Sequence, residues 1–170
     1  FDKFNKKEIK LLKKKNIINL GMVARLERHK DQSTLIKAIP EILRKGLKVN
    51  LTIIGDGSQR NNLEELAKSI GVSELTNFVG SRRDIPEVLS KLDIFVFSAL
   101  KDEGFGIAMV EAMGKGLPII ASDVGSCNEI LSEGRFGILV KKNSPQSIAK
   151  SIEKIIYNIE DADTRRKAAY

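Results

Sequence analysis

The chain has no tryptophan, one cysteine, one histidine and four prolines among its 170 residues. Each scarcity closes a line of chemistry. A single thiol, Cys127, cannot form an intramolecular disulfide and fits a reducing compartment. No Cys/His cluster has metal-ligand spacing. Any histidine-dependent triad would have to use His29, which nothing in the sequence sets beside a nucleophile; it is expected to face solvent. No apolar run approaches the roughly 18 residues that a membrane span needs. The sequence starts at Phe1, as a piece of a longer protein would.

Hydrophobic residues at 42% and charged residues at 30% describe a globular chain long enough for one domain with a full core. The net charge of +7 is unevenly placed. Residues 1–16 (FDKFNKKEIKLLKKKN) hold seven Lys against Asp2 and Glu8, leaving the remainder nearly balanced. A nucleic-acid surface would spread basic residues over a face of the domain, so no nucleic-acid partner is expected. The Lys-rich leader reads as a solvated linker, with a peripheral contact to an anionic membrane as the sharper alternative.

Short apolar segments alternate with helical patterns along the whole chain. Residues 16–24, 47–54, 76–80, 92–97, 117–122 and 136–140 read as strands, apolar on both parities as doubly covered strands are. Between the first two, Leu35, Ile36, Ile39, Ile42 and Leu43 recur at helical spacing until Gly46, with Pro40 predicting a kink or an early stop. Leu63, Leu66, Ala67 and Ile70 mark a second helix. Asp84 with Pro86 opens a third. Ser126 to Glu129 fits a capping box, and Ser144 with Pro145 opens a helix carrying Ile148, Ile152, Ile155 and Ile156. Residues 162–170 read as one more helical piece. Strict alternation with short connections implies parallel strands and right-handed crossovers, an α/β Rossmann-like domain of three layers around a roughly six-stranded sheet. Ligands in such folds bind outside the carboxyl ends of the strands.

Three groups of residues fall at that edge. Arg25 and Lys30 (ARLERHK) are two cations at the start of a helix, an arrangement that suits a diphosphate but also an ordinary basic surface. Gly80-Ser81-Arg82-Arg83 could wall a nucleobase or be a plain polar loop. The third is EGFGIAMVEAMGKG, residues 103–116. Its amides at Gly104, Phe105, Gly106 and Ile107 lie at a helix start and can hold a sugar or a phosphate. Glu103 can accept from sugar hydroxyls and Glu111 from the two hydroxyls of a ribose, the alternative being a salt bridge at the core edge. Glu111 is read as a carboxylate in a largely apolar helix, which needs a partner. Gly55-Asp56-Gly57 lacks the third glycine of the dinucleotide fingerprint and reads as a tight turn. Ser98 has no base near it in sequence.

At Glu103 to Glu111 the chain resembles the C-terminal domain of the retaining glycosyltransferases of family 4, with the GT-B fold. The E-x7-E motif EGFGIAMVE carries the likeness, followed by EAMGKGLPIIASDVG and preceded in order by ARLERHK, LTIIGDGSQRNNLEELA and DIPEVLSKLDIFVFSA. It covers nearly everything from Asn16 to Tyr170, although Ala24 and Ser126 stand where that family often has glycine. The resemblance implies one half of a GT-B enzyme, with residues 1–16 as interdomain linker and residues 17–170 as the nucleotide-sugar-binding domain. It further implies that Arg25 and Lys30 bind the donor diphosphate, and that Glu111 binds the ribose. Glu103, as the catalytic residue, and the amides of Gly104 to Ile107 would hold the transferred hexosyl group, and the Gly80 to Arg82 loop would meet the base. The donor would be a UDP- or GDP-sugar, with no metal or other cofactor, and the acceptor a glycan or lipid-linked molecule held by an absent N-terminal domain. A cytoplasmic enzyme, with this half inactive alone, is the expectation. A non-catalytic sugar-nucleotide-binding module and a GT-B-fold epimerase are the alternatives. A phosphorylase would need a pyridoxal-phosphate lysine pattern that is missing, and a nicotinamide oxidoreductase the glycine fingerprint.

Overall fold

The apolar runs that lack a polar parity become strands covered on both faces. The computed structural model describes residues 15–101 and 106–169. Six strands lie in one parallel sheet: β1 (Ile18–Val23), β2 (Val49–Ile54), β3 (Thr76–Phe78), β4 (Ile94–Phe97), β5 (Ile119–Ser122) and β6 (Ile138–Val140). Their order across the sheet is β3-β2-β1-β4-β5-β6. Every residue of β4 and β5 is buried, as strands with a helix layer on each face require.

Seven α-helices complete the layers: α1 (Gln32–Arg44), α2 (Arg60–Ser69), α3 (Ile85–Ser90), α4 (Ile107–Gly114), α5 (Gly125–Ile130), α6 (Pro145–Tyr157) and α7 (Ile159–Ala168). In one layer α1 packs between α2 and α6, and α7 follows against α6. Right-handed crossovers then put α3, α4 and α5 on the other face. Leu35, Ile36, Ile39 and Ile42 of α1 are fully buried, while Leu43, from the same helical pattern, is exposed. The fold class expected from the alternation is the one observed.

Several local expectations give way. The first helix does not stop at Pro40 but runs one turn beyond it, leaving the Ile36 carbonyl without an intrahelical donor. No capping box forms at Ser126, because α5 begins two residues earlier than that cap requires, with Val124 at its N-cap and Ser126 inside the helix. Asp84 is the N-cap of α3, yet its side chain makes no capping bond. Five of the six strands start two residues later than the apolar runs do, whereas β3 starts on its run at Thr76 and ends two residues short of it. At the sheet margin the Asp93 amide bonds the Asn19 carbonyl while the Asp93 carboxylate takes the Asn19 N–H at 2.8 Å. Lys15, from the basic leader, pairs with the same carboxylate, and residues 1–14 of that leader lie outside the described residues.

Candidate functional site

The strand order reverses between β1 and β4. Chain leaving one goes to β2 and chain leaving the other to β5, so their carboxyl ends open a crevice. A groove of about 490 Å³ occupies it, with Val23 and Ala24 from the end of β1, Ile54 from β2 and Phe97 from β4 in its floor.

The loop after β1 is fastened mainly by backbone. Ala24 N–H donates to Ile54 O at 3.0 Å, Leu26 N–H to Asp56 O at 3.0 Å, and Gln59 N–H to Leu26 O at 2.9 Å. This contact needs two glycines. A Cβ on Gly55, whose φ is +135°, would stand 2.0 Å from the Ala24 carbonyl oxygen, and one on Gly57 2.4 Å from that of Leu26. Leu26 is fully buried, so its neighbour Arg25 projects outward, exposed, into the groove. The buried Gln32 amide donates to Arg25 O at 2.8 Å and fixes the same backbone from below.

Lys30 ends the 3-10 turn Arg28–Lys30 that leads into α1, and its Nζ lies 5.7 Å from the centroid of the Phe97 ring. The segment after β4 ties this turn down. Ser98 Oγ donates to Asp31 O at 2.8 Å, Leu100 N–H to His29 O at 2.9 Å, and Ala99 N–H to Ser122 Oγ at 2.9 Å. His29 is half-buried rather than solvent-facing, because its turn is pressed against that segment.

The opposite wall is the loop after β3. Gly55 N–H donates to Gly80 O at 2.9 Å, and the Asp56 carboxylate accepts from Ser81 N–H at 2.9 Å and Arg60 Nη1 at 2.8 Å. The Arg60 hydrogen bond, then the Ser81 amide, holds the Asp56 carboxyl below its ordinary range. Arg82 donates through Nε at 2.8 Å and Nη2 at 2.6 Å to the two oxygens of Asp84, a fork that fixes the guanidinium plane beside Ile85. This pairing also draws the Asp84 carboxylate away from any capping role.

The third side is α4. Its N-cap, Gly106, and first residue, Ile107, line the groove, and Glu111 lies one turn further along the rim. Glu111 is exposed, not enclosed in apolar surface. The reason is that α4 turns apolar side chains outward as well: Ile107 is 64% and Val110 47% exposed. No hydrogen bond or ion pair to the Glu111 carboxylate is present among the described residues, so the core-edge salt bridge considered from sequence is not formed there.

Arg25, Lys30, Arg82, Gly106, Ile107 and Glu111 thus share one groove. Glu103, Gly104 and Phe105 lie outside the described residues. The sequence reading passed over Gly55, Gly57, Asp56, Asp84 and Ser98 as site-shaping groups. Asp56 had a signal in Arg60 four residues later. Ser98 had none, since its partner is a distant carbonyl. Among the described residues no group of three or more His, Cys, Asp or Glu side chains is placed to hold a metal ion, and no helix is long and apolar enough to cross a membrane.

A parallel sheet with a crevice at the switch between β1 and β4, walled by cations and a helix start, defines a Rossmann-like α/β domain. Residues 2–170 match the family model of the group 1 glycosyl transferases, and the chain belongs to that family. It is 33% identical over 136 residues to an uncharacterized glycosyltransferase of Methanocaldococcus jannaschii, covering 79% of this chain and 34% of that protein. It is 28% identical over 148 residues to the GDP-mannose-dependent alpha-(1-6)-phosphatidylinositol monomannoside mannosyltransferase of Mycobacterium tuberculosis, covering 82% of this chain and 38% of that one. The crystal structure of Anabaena HepE in complex with UDP and glucose superposes with a TM-score of 0.82 at 26% identity, covering 96% of this chain and 46% of HepE. Structural neighbours of this kind are GT-B glycosyltransferases. The chain spans between a third and a half of the length of these relatives.

Proposed function

We propose that this chain is the donor-binding half of a retaining glycosyltransferase of family 4 and grips a nucleoside diphosphate sugar in the β1/β4 groove. One observation carries the reading: two cations, a forked Arg, a helix start and an exposed carboxylate, from three separate segments of the chain, line the same crevice. Arg25 and Lys30 flank the diphosphate. The amides at the start of α4, at Gly106 and Ile107, face the sugar-phosphate end with the positive pole of the helix. Glu111, exposed and unpaired among the described residues, accepts from the two ribose hydroxyls. The Gly80 to Arg82 loop meets the base, with the Arg82 plane held by Asp84.

Glu103, with the amides of Gly104 and Phe105, holds the transferred hexosyl group. A glycan or lipid-linked acceptor binds on an N-terminal domain that residues 1–16 join to this one. Retention follows from front-side displacement: the acceptor oxygen bonds the anomeric carbon on the face from which the bond to the diphosphate breaks, and the leaving phosphate takes the acceptor's proton. The protein contributes position and charge stabilisation at the departing diphosphate, through Arg25, Lys30 and the α4 amides. No metal is assigned to the reaction, so EDTA should leave transfer by the full-length enzyme unchanged.

HepE was crystallised with UDP and glucose, and the mycobacterial relative is named for GDP-mannose, so both nucleotides belong in the test. NMR titration of this chain with UDP, GDP and the two nucleosides should shift the resonances around Glu111, and the chain alone should transfer no sugar. Silence there with all four ligands would overturn the reading. Removing a carboxylate that holds two hydroxyls should weaken nucleoside binding about tenfold in Glu111→Ala. Arg25→Ala should leave the nucleoside nearly unaffected and weaken the diphosphate. Equal losses of the free nucleoside in the two variants would refute the division of roles.

A further inference from the structure

Ser98 has no place in the roles above, yet it is 1% exposed and its hydroxyl donates to a backbone carbonyl, with Met22 Sδ 3.4 Å away. Resting on the donor-site reading, we infer that Ser98 is a positioning residue for the diphosphate. It acts by locking the turn that carries Lys30 onto the end of β4.

The geometry is specific. Ser98 Oγ donates to the Asp31 carbonyl at 2.8 Å and lies 3.5 Å from the Lys30 carbonyl, so it grips the two peptides that follow Lys30. Helical bonding holds that stretch only in part: Lys30 N–H reaches Glu27 O at 2.9 Å, and the Asp31 carbonyl, at the N-cap of α1, takes the Thr34 N–H at 3.2 Å. Asp31 sits at φ +51°, buried, with Oδ2 lacking any hydrogen-bond partner among the described residues. Its own N–H reaches Arg28 O only at 3.4 Å. A left-handed buried aspartate with an orphaned oxygen is locally unfavourable and persists only where its surroundings fix it. Two bonds from the segment after β4 supply that fixing: the Ser98 hydroxyl and the Leu100 N–H to His29 O. The segment is braced from its far side by Ser122 Oγ of β5, which accepts the Ala99 N–H. Phe97, the residue before Ser98, stands under the Lys30 ammonium. One short segment therefore sets both the backbone and the side chain of Lys30.

A hydroxyl that served only the core would, on removal, lower stability and weaken every ligand alike. A hydroxyl that positions Lys30 should affect only ligands with phosphate. The test measures dissociation constants of UDP, GDP, uridine and guanosine for the unmodified chain, Ser98→Ala, Lys30→Ala and the double variant. Ser98→Ala should raise the constant of the nucleoside diphosphate that the unmodified chain binds about tenfold, leave the matching nucleoside within about twofold, and add nothing in the Lys30→Ala background. Equal losses for nucleoside and diphosphate, additive losses in the double variant, or no loss at all would each overturn the inference. Should Ser98→Ala not fold, Ser98→Cys keeps a weak donor of similar size. A smaller nucleoside-sparing loss supports the role, and undiminished diphosphate binding overturns it. An unmodified chain that binds neither UDP nor GDP instead removes the donor-site reading, and this inference falls with it.

Discussion

Asp56 joins three pieces of chain that the sequence keeps apart: its own turn after β2, Arg60 at the start of α2, and the Ser81 amide in the loop after β3. The carboxyl is held low by the Arg60 hydrogen bond and then by the Ser81 amide, so the sign of its pH dependence follows. Its contribution is fully present above the ordinary aspartate pKa of about 3.9 and disappears as pH falls through the lower folded value. Asp56→Asn should therefore unfold at a lower temperature than the unmodified chain at pH 7, and the gap should close toward pH 3. A gap of constant size across that range would show that the charge is irrelevant. Arg82 illustrates the same economy of partners. Its pairing with Asp84 is exposed and adds little to stability, but it leaves the guanidinium in one plane. Glu111 shows where reading residues alone misleads. Its neighbours Ile107 and Val110 are apolar, which in a sequence looks like burial, whereas α4 presents both to the outside.

Whole elements were far more legible than their ends. The six strands were visible because runs such as IFVF and IIAS are apolar on both parities, a pattern that only a doubly covered strand explains. The helices α1 and α6 followed from buried residues at helical spacing. The grouping of Arg25, Lys30, Arg82 and Glu111 at one edge was readable as well, since parallel strands put every βα loop on the same side. What stayed illegible depends on partners distant in sequence. The length of α1 past Pro40, where the helix packs on α6, and the hold of Ser98 on the Lys30 turn rest on tertiary contacts, not on local propensity. The Gly55-Asp56-Gly57 turn is the clearest case. In sequence it is a failed fingerprint; in the fold it is the surface on which the Arg25 loop lies. Gly55→Ala would need both a left-handed backbone and a 2.0 Å approach to the Ala24 carbonyl. It should destabilise the domain by more than about 2 kcal/mol and displace the loop. Chemical denaturation checks the first effect and diphosphate affinity the second; a loss under 0.5 kcal/mol, on the order expected at an ordinary surface position, would contradict it.

At the scale of the molecule, the groove exists only where β1 and β4 meet. A ligand seated there contacts both halves of the sheet and should stabilise the whole. At one hundred times its dissociation constant, a bound nucleotide should add about 2.7 kcal/mol and raise the melting temperature by roughly 5–10 °C. A calorimetric scan with and without UDP or GDP reads this directly, and an unmoved transition under saturation would disprove it. The β1/β4 pairing has one more consequence. It joins Leu20 to Ile94 and Gly21 to Phe95, the sheet neighbours most distant along the chain, whereas β1–β2–β3 and β4–β5–β6 each pair close in sequence. Closing that long loop comes late because its entropy must be met before the contact forms. Each half-sheet can thus collapse alone before the two zip together along one central line. By the same reasoning the crevice should form only after both half-sheets, alongside the still longer-range packing of α1 on α6, and a nucleotide bound there would recognise only a chain whose two halves have met.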